Sequence, residues 1–173
     1  MQSTSLTLLL QKYCPNLRLL NLGWCQRVSD VSTVSLSKLK HIEHLDLSLT
    51  SISSESCYNL SQLSTLKTLR LDATNICGRG LESLFTARKI TINSDSDDVT
   101  MKWNSHFHNL ETLSLRFLDN LDLNRLEMLI RFSCNHLKSI DLAHSLGTSF
   151  QSSHRQAITK LAEGGIAVKM AFY

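Results

Sequence analysis

The 173-residue sequence predicts an α/β solenoid, a curved horseshoe segment of about seven repeats. In that fold a parallel β-sheet lines the concave face and helices cover the convex face. Three observations predict it. Leucine is out of proportion, at 32 residues. A nine-residue frame, apolar at positions 1, 4 and 6 and small or polar at position 9, recurs down the chain. Between copies the apolar spacing lengthens from that of a strand to that of a helix.

The frame is read at Leu17–Cys25, Ile42–Thr50, Leu66–Thr74, Leu110–Leu118 and Leu137–Ser145. The 44-residue gap between Leu66 and Leu110 predicts a further copy, and Ala87–Asp95 fills it, weak only at position 1. A degenerate last copy is Gly165–Tyr173. The expected strands therefore lie near 17–25, 42–50, 66–74, 87–95, 110–118, 137–145 and 165–173, in one domain spanning 1–173. Alternation turns positions 4 and 6 inward, so Leu45, Leu69, Ile90 and Leu113 should share one spine. Tight packing of successive turns favours a small hydrogen-bonding residue at position 9. Cys25, Thr50, Thr74, Asp95 and Ser145 comply; Leu118 does not.

The helical stripes follow. Val28, Val31, Val34, Leu36 and Leu39 form one, with Ser29 or Asp30 as its N-cap. Leu118, Leu121, Leu123, Leu126, Leu129, Ile130 and Phe132 form the longest. Ala157, Ile158, Leu161 and Ala162 form another, stopped by Gly164 and Gly165. Residues 52–63 and 81–85 are shorter and less regular, and a helix is expected near 5–13. An irregular acidic loop, 93–107, breaks the series. A unit of this kind cannot bury its apolar face alone, so neighbours stack around a shared core. Both ends lack a polar cap, as expected of part of a longer solenoid or of one completed by a partner.

Composition narrows the function. At 19% charged residues and 42% hydrophobic residues the chain is no disordered tail. A net charge of +3 is too weak for a nucleic-acid or membrane-surface footprint. No apolar run approaches the ~20 residues that cross a bilayer. Five unevenly spread cysteines and no export signal favour reduced thiols, hence the cytoplasm or nucleus. Cys14, Cys25 and Cys134 are expected to face the core. No metal, cofactor or catalytic site is predicted. The histidine pairs His41/His44 and His106/His108 lack ligand spacing, and Asp95, Asp97 and Asp98 lack the rest of a calcium loop.

The frame is that of the leucine-rich repeat. Tyr13-Cys14-Pro15-Asn16-Leu17 through Cys25-Gln26-Arg27-Val28-Ser29-Asp30 further resembles the cysteine-containing repeats of F-box proteins, and Cys134-Asn135-His136-Leu137 repeats part of the pattern. That resemblance implies a substrate receptor of a cullin-RING ubiquitin ligase, although no F-box is evident in the sequence. An innate-immune or signalling repeat domain and a regulator of an enzyme such as a GTPase are the alternatives. The 21- to 25-residue spacings of the first half argue against the former. No rim residue stands out for the latter.

What remains for function is the exposed side of the sheet, at positions 3, 5, 7 and 8. Seven strands about 4.8 Å apart would line roughly 29 Å, the scale of a protein interface. The expected partner-binding residues are Asn21, Trp24, His44, Asp46, Leu49, Arg70, Asp72, Lys89, Arg116, Phe117, Asp141 and His144. Trp24, Leu49 and Phe117 are the apolar anchors, and the alternating charges suit a mixed-charge protein partner.

Overall fold

The structure is a computed structural model that describes residues 9–10, 12–86, 88–90, 101–103, 107–118, 121–145 and 152–171. Six short strands form one parallel sheet: β1 (Leu19–Asn21), β2 (His44–Asp46), β3 (Thr68–Arg70), β6 (Thr112–Ser114), β7 (Ser139–Asp141) and β8 (Ala167–Lys169). Helices alternate with them: α1 (Asp30–Leu36), α2 (Ser56–Leu60), α3 (Gly78–Phe85), α4 (Leu123–Ser133) and α5 (Ser152–Glu163). Register is in frame throughout, with Leu20, Leu45, Leu69, Leu113, Ile140 and Val168 side by side. From Leu45 to Ile140 this row is almost completely buried. Each such leucine contributes about 1.5–3 kcal/mol by leaving water.

The fourth expected strand is corrected. Arg88–Ile90 (β4) pairs antiparallel with Met101–Trp103 (β5) in a separate two-stranded sheet, while β3 pairs directly with β6. Ile90 is thus no part of the spine, and the parallel sheet holds six strands among the described residues rather than seven. The frame at 87–95 begins on Ala87, where the adjoining units place Leu66 and Leu110, both fully buried. Without that inward anchor, Arg88–Ile90 pairs outside the stack. Most of the acidic loop 93–107 lies outside the described residues. Phe107 does return to the core, edge-on to Phe85 at 6.0 Å between ring centroids.

The turns carry their own logic. Thr50 donates to the Leu47 carbonyl at 2.7 Å, and Thr74 to the Leu71 carbonyl at 2.8 Å. Leu118 has no hydroxyl, and the next unit supplies one. Ser145 Oγ donates to the Leu115 carbonyl and accepts from the Leu118 N–H at 3.2 Å. That exchange leaves Leu118 free to be buried as a core residue.

The helical side also departs from expectation in places. Val31 and Val34 lie outward, 62% and 48% exposed, because the inner face of α1 is made by Ser32, Thr33, Ser35 and Leu36. Ser29 is its N-cap, and Asp30 instead binds the next unit, accepting from the Ser53 N–H and Ser53 Oγ, both at 2.8 Å, and from Ser56 Oγ. Burial acts to raise the Asp30 carboxyl, but these hydrogen bonds outweigh it and hold it below its ordinary range. Helix α4 starts at Leu123 behind the Asp122 cap, is one residue shorter than α5, and leaves Phe132 82% exposed. Cys14 and Cys25 are exposed, against expectation, because β1 has no preceding strand among the described residues to cover them; Cys134 is buried.

Candidate functional site

The exposed side of the parallel sheet is the candidate site, and a single backbone device shapes its rim. Position 8 of five units is occupied by Trp24, Leu49, Ala73, Phe117 and His144, at φ of 67°, 57°, 49°, 55° and 62°. All five are left-handed, a region that penalises any side chain by about 1 kcal/mol or more. The conformation lets each N–H reach the position 7 carbonyl of the next unit. Trp24 donates to Ser48 at 2.9 Å, Leu49 to Asp72 at 2.8 Å and Ala73 to Arg116 at 2.8 Å. Phe117 donates to Ala143 at 3.2 Å and His144 to Ala171 at 3.0 Å. The position 8 residues thereby follow one another unit by unit along the rim. Trp24 is 77% and Phe117 40% exposed.

Below the rim, position 5 residues hold the turn. Asn21 Oδ1 accepts from the Gly23 N–H at 2.8 Å, Asp46 Oδ1 from the Ser48 N–H at 2.9 Å, and Asp141 Oδ1 from the Ala143 N–H at 3.1 Å. Ser114 takes this place in the fourth rung of the sheet and cannot reach in the same way. Asp72, from the rung before, accepts from the Arg116 N–H at 2.9 Å and from Ser114 Oγ at 2.5 Å. Four of the predicted binding residues therefore have a structural duty as well as an exposed position.

The remaining predicted residues fall into two groups on this face. Asp46 lies 3.7 Å from Arg70, and His44 Nδ1 is 3.0 Å from Thr68 Oγ1. Further along, Arg116 lies over the Phe117 ring at 5.3 Å, and Phe117 stacks on His144 with centroids 4.8 Å apart. Cation, benzene ring and imidazole thus form one layered surface. Lys89 is the exception: it sits on β4, outside the parallel sheet. The face carries both signs of charge beside aromatic groups, suited to recognition of a protein surface. Among the described residues no three His, Cys, Asp or Glu side chains gather as a metal site requires, and no helix is long and apolar enough to cross a membrane. His106 lies outside the described residues.

A family model described as Leucine Rich repeat matches residues 13–37 and 38–61. These units are leucine-rich repeats. Among solved structures the chain is similar to Leiomodin-1 Actin-Binding Site 2 (ABS2), with a TM-score of 0.64 and 12% sequence identity over 95% of this chain and 90% of that one. At that identity the likeness speaks for the fold. No curated protein matches the sequence. Six parallel strands with alternating helices make this an α/β repeat solenoid.

Sequence reasoning missed a row at frame position 2, on the opposite edge of the sheet. Glu43 Oε2 meets Lys67 Nζ at 2.6 Å and Glu43 Oε1 meets Arg18 at 3.4 Å; Lys138 Nζ meets Glu111 Oε2 at 2.8 Å. The Lys67 hydrogen bond pulls the Glu43 carboxyl below its ordinary 4.5, and the Lys138 hydrogen bond does the same for Glu111. The signal was available: Arg18, Glu43, Lys67, Glu111 and Lys138 alternate in sign only if the copy at 87–95, which would bring Arg88 beside Lys67, is left out.

Proposed function

We propose that this chain is a non-catalytic recognition module that grips a protein partner through its concave sheet face. The observation that carries the reading is the column of five left-handed, non-glycine residues at position 8. Glycine or asparagine would satisfy the backbone at less cost, yet the column bears an indole, a phenyl ring and an imidazole. Large aromatic groups held rigidly beside mixed charges are the usual anchors of interfaces. The binding residues of this proposal are Asn21, Trp24, His44, Asp46, Leu49, Arg70, Asp72, Arg116, Phe117, Asp141 and His144.

For the partner, the cysteine-type first unit, Cys14-Pro15-Asn16-Leu17 through Asp30, supports a substrate of a ubiquitin ligase. The similar leiomodin structure, an actin-binding site by name, makes actin the second partner to test. The experiment is affinity capture and cross-linking with the intact chain, scored for cullin, adaptor, actin and other proteins, repeated with Trp24→Ala, Arg70→Glu and Phe117→Ala. The reading expects partners to be lost together in the three variants while the circular dichroism stays unchanged. If all three retain every partner, the concave face is not the binding surface.

A further inference from the structure

Arg18 answers Glu43, Arg70 answers Asp46, Arg125 answers Glu82 and Arg131 answers Glu127. Arg116, at position 7 of the fourth rung, differs. Among the described residues its guanidinium forms no ion pair, and its Nε, closed off from solvent, has no hydrogen-bond acceptor. A buried donor left unmet is a cost that the fold carries and a ligand can remove. What holds the group is the Phe117 ring, 5.3 Å from it. The carboxylates of this face are engaged elsewhere. Asp72 accepts from the Arg116 main-chain N–H and Ser114 Oγ, Asp141 accepts from the Ala143 N–H, and Asp46 faces Arg70. Beside Arg116 the rim is at its lowest. The Ala73 N–H donates to the Arg116 carbonyl, and the position 8 residues of the units on either side of Ala73 are Leu49 and Phe117. Those two units lie two strand spacings apart, about 10 Å, with only a methyl group at the position between them. Leu49 and Ala73 share the left-handed conformation, at φ 57° and 49°, so the backbone admits a large side chain at 73 and the sequence leaves the space open.

We propose that this stretch of the concave face recognises, in a protein partner, an apolar side chain next to an Asp or Glu. The apolar group enters over Ala73, between Leu49 and Phe117. The neighbouring carboxylate draws the Arg116 fork and supplies the acceptor that Nε lacks. Charge complementarity selects the acid, because Arg70 already faces Asp46 while Arg116 has no carboxylate among the described residues. Pairing through Nε and a terminal nitrogen is the two-bond geometry of arginine with a carboxylate, which a lysine cannot reproduce. The inference rests on the concave-face reading and narrows its partner to a class of segment.

The test selects a phage-displayed library of random dodecapeptides on the intact chain. Binding of the selected peptides is then measured on Arg116→Gln, Arg116→Lys and Ala73→Leu, each checked for unchanged circular dichroism. The proposal expects peptides with Asp or Glu beside Leu, Ile, Phe or Met. A synthetic copy of the strongest should lose about tenfold in affinity when its acid is replaced by the amide. Arg116→Gln should abolish that difference, and Arg116→Lys should restore only part of it. Ala73→Leu should weaken the acid and amide peptides alike. No selected peptide, a selected set without the acid, or a difference that survives Arg116→Gln would overturn the proposal. Peptides without the acid that still require Trp24 and Phe117 would remove this assignment and leave the concave face as the binding surface; acidic peptides indifferent to both would remove the concave reading as well. An acidic preference seen only after Asp95, Asp97 and Asp98 are changed to asparagine would also overturn it, since the carboxylate would then be the chain's own. So would dimers in sedimentation that Arg116→Gln abolishes, since the occupant would then be a second copy.

Discussion

The Asp72 carboxylate accepts a hydrogen bond from the Arg116 backbone N–H at 2.9 Å across 44 residues of sequence. In three other units a position 5 side chain performs that service within its own turn. Asp72 does it for a neighbour, which is possible because β3 and β6 touch directly. Asp72→Ala removes an acceptor shared by Arg116 N–H and Ser114 Oγ, and it should destabilise the fold by about 1.5–3 kcal/mol. Asp72→Asn, which keeps an oxygen acceptor, should recover about half. Urea denaturation of the three proteins checks both; equal stability of all three would show that the bond is immaterial.

The strain at position 8 makes an unusual direction of change testable. Ala73 sits at φ 49° with a small side chain to lose. Ala73→Gly should stabilise the chain by about 0.5–1 kcal/mol, where the same change in ordinary strand or helix would destabilise it. Ala73→Val should go the other way by a larger amount. A thermal melt in which the glycine variant is the less stable would contradict the left-handed assignment.

Acid should weaken the position 2 row. Glu43 and Glu111 have folded-state values below the ordinary 4.5, so the unfolded chain binds protons more readily there. The stability they contribute is complete above that ordinary value and is lost as pH falls through the depressed folded values. Chemical denaturation from pH 7 to pH 3 should show a decline beginning below about pH 5. In the Glu43→Gln/Glu111→Gln double variant the decline should be shallower, and so should the dependence on added salt at neutral pH. Parallel curves for the two proteins would refute the assignment.

The thiols should differ sharply in reactivity. Cys77 is exposed at the start of α3, where the Ser54 hydroxyl 3.2 Å away, with help from the Gly80 and Arg79 N–H groups, holds its thiol below the ordinary 9.0. Burial pushes Cys57 and Cys134 up to about 12. Iodoacetamide at pH 7.5, followed site by site by mass spectrometry, should label Cys77 well before those two. Ser54→Ala should slow Cys77 alone. Labelling of Cys57 or Cys134 at the rate of Cys77 in the folded protein would contradict their placement.

Much of this architecture was readable from residue pattern because the inward leucines obey a strict frame: Leu45, Leu69 and Leu113 are where the spacing puts them. The concave positions followed from the same alternation, and eleven of the twelve predicted residues share that face. The error at 87–95 arose from treating periodicity as sufficient. Ala87 in the anchor position and the broken charge alternation at Arg88 were the stronger physical signals. Three properties could not be read from a linear pattern at all. These are the left-handed backbone at Trp24, Leu49, Ala73, Phe117 and His144, the loan of Asp72 to Arg116, and the loan of Ser145 to Leu118. Each depends on which unit stacks on which.

That stacking order is the claim on which the proposed binding face from Trp24 to His144 rests. Isotope-edited nuclear Overhauser spectroscopy on the intact chain measures it most directly. Backbone and side-chain contacts are predicted between Leu69 and Leu113 and between Lys67 and Glu111, with the Ile90 backbone beside that of Met101. Contacts from Leu69 to Ile90 and from Ile90 to Leu113, with none between Leu69 and Leu113, would contradict it.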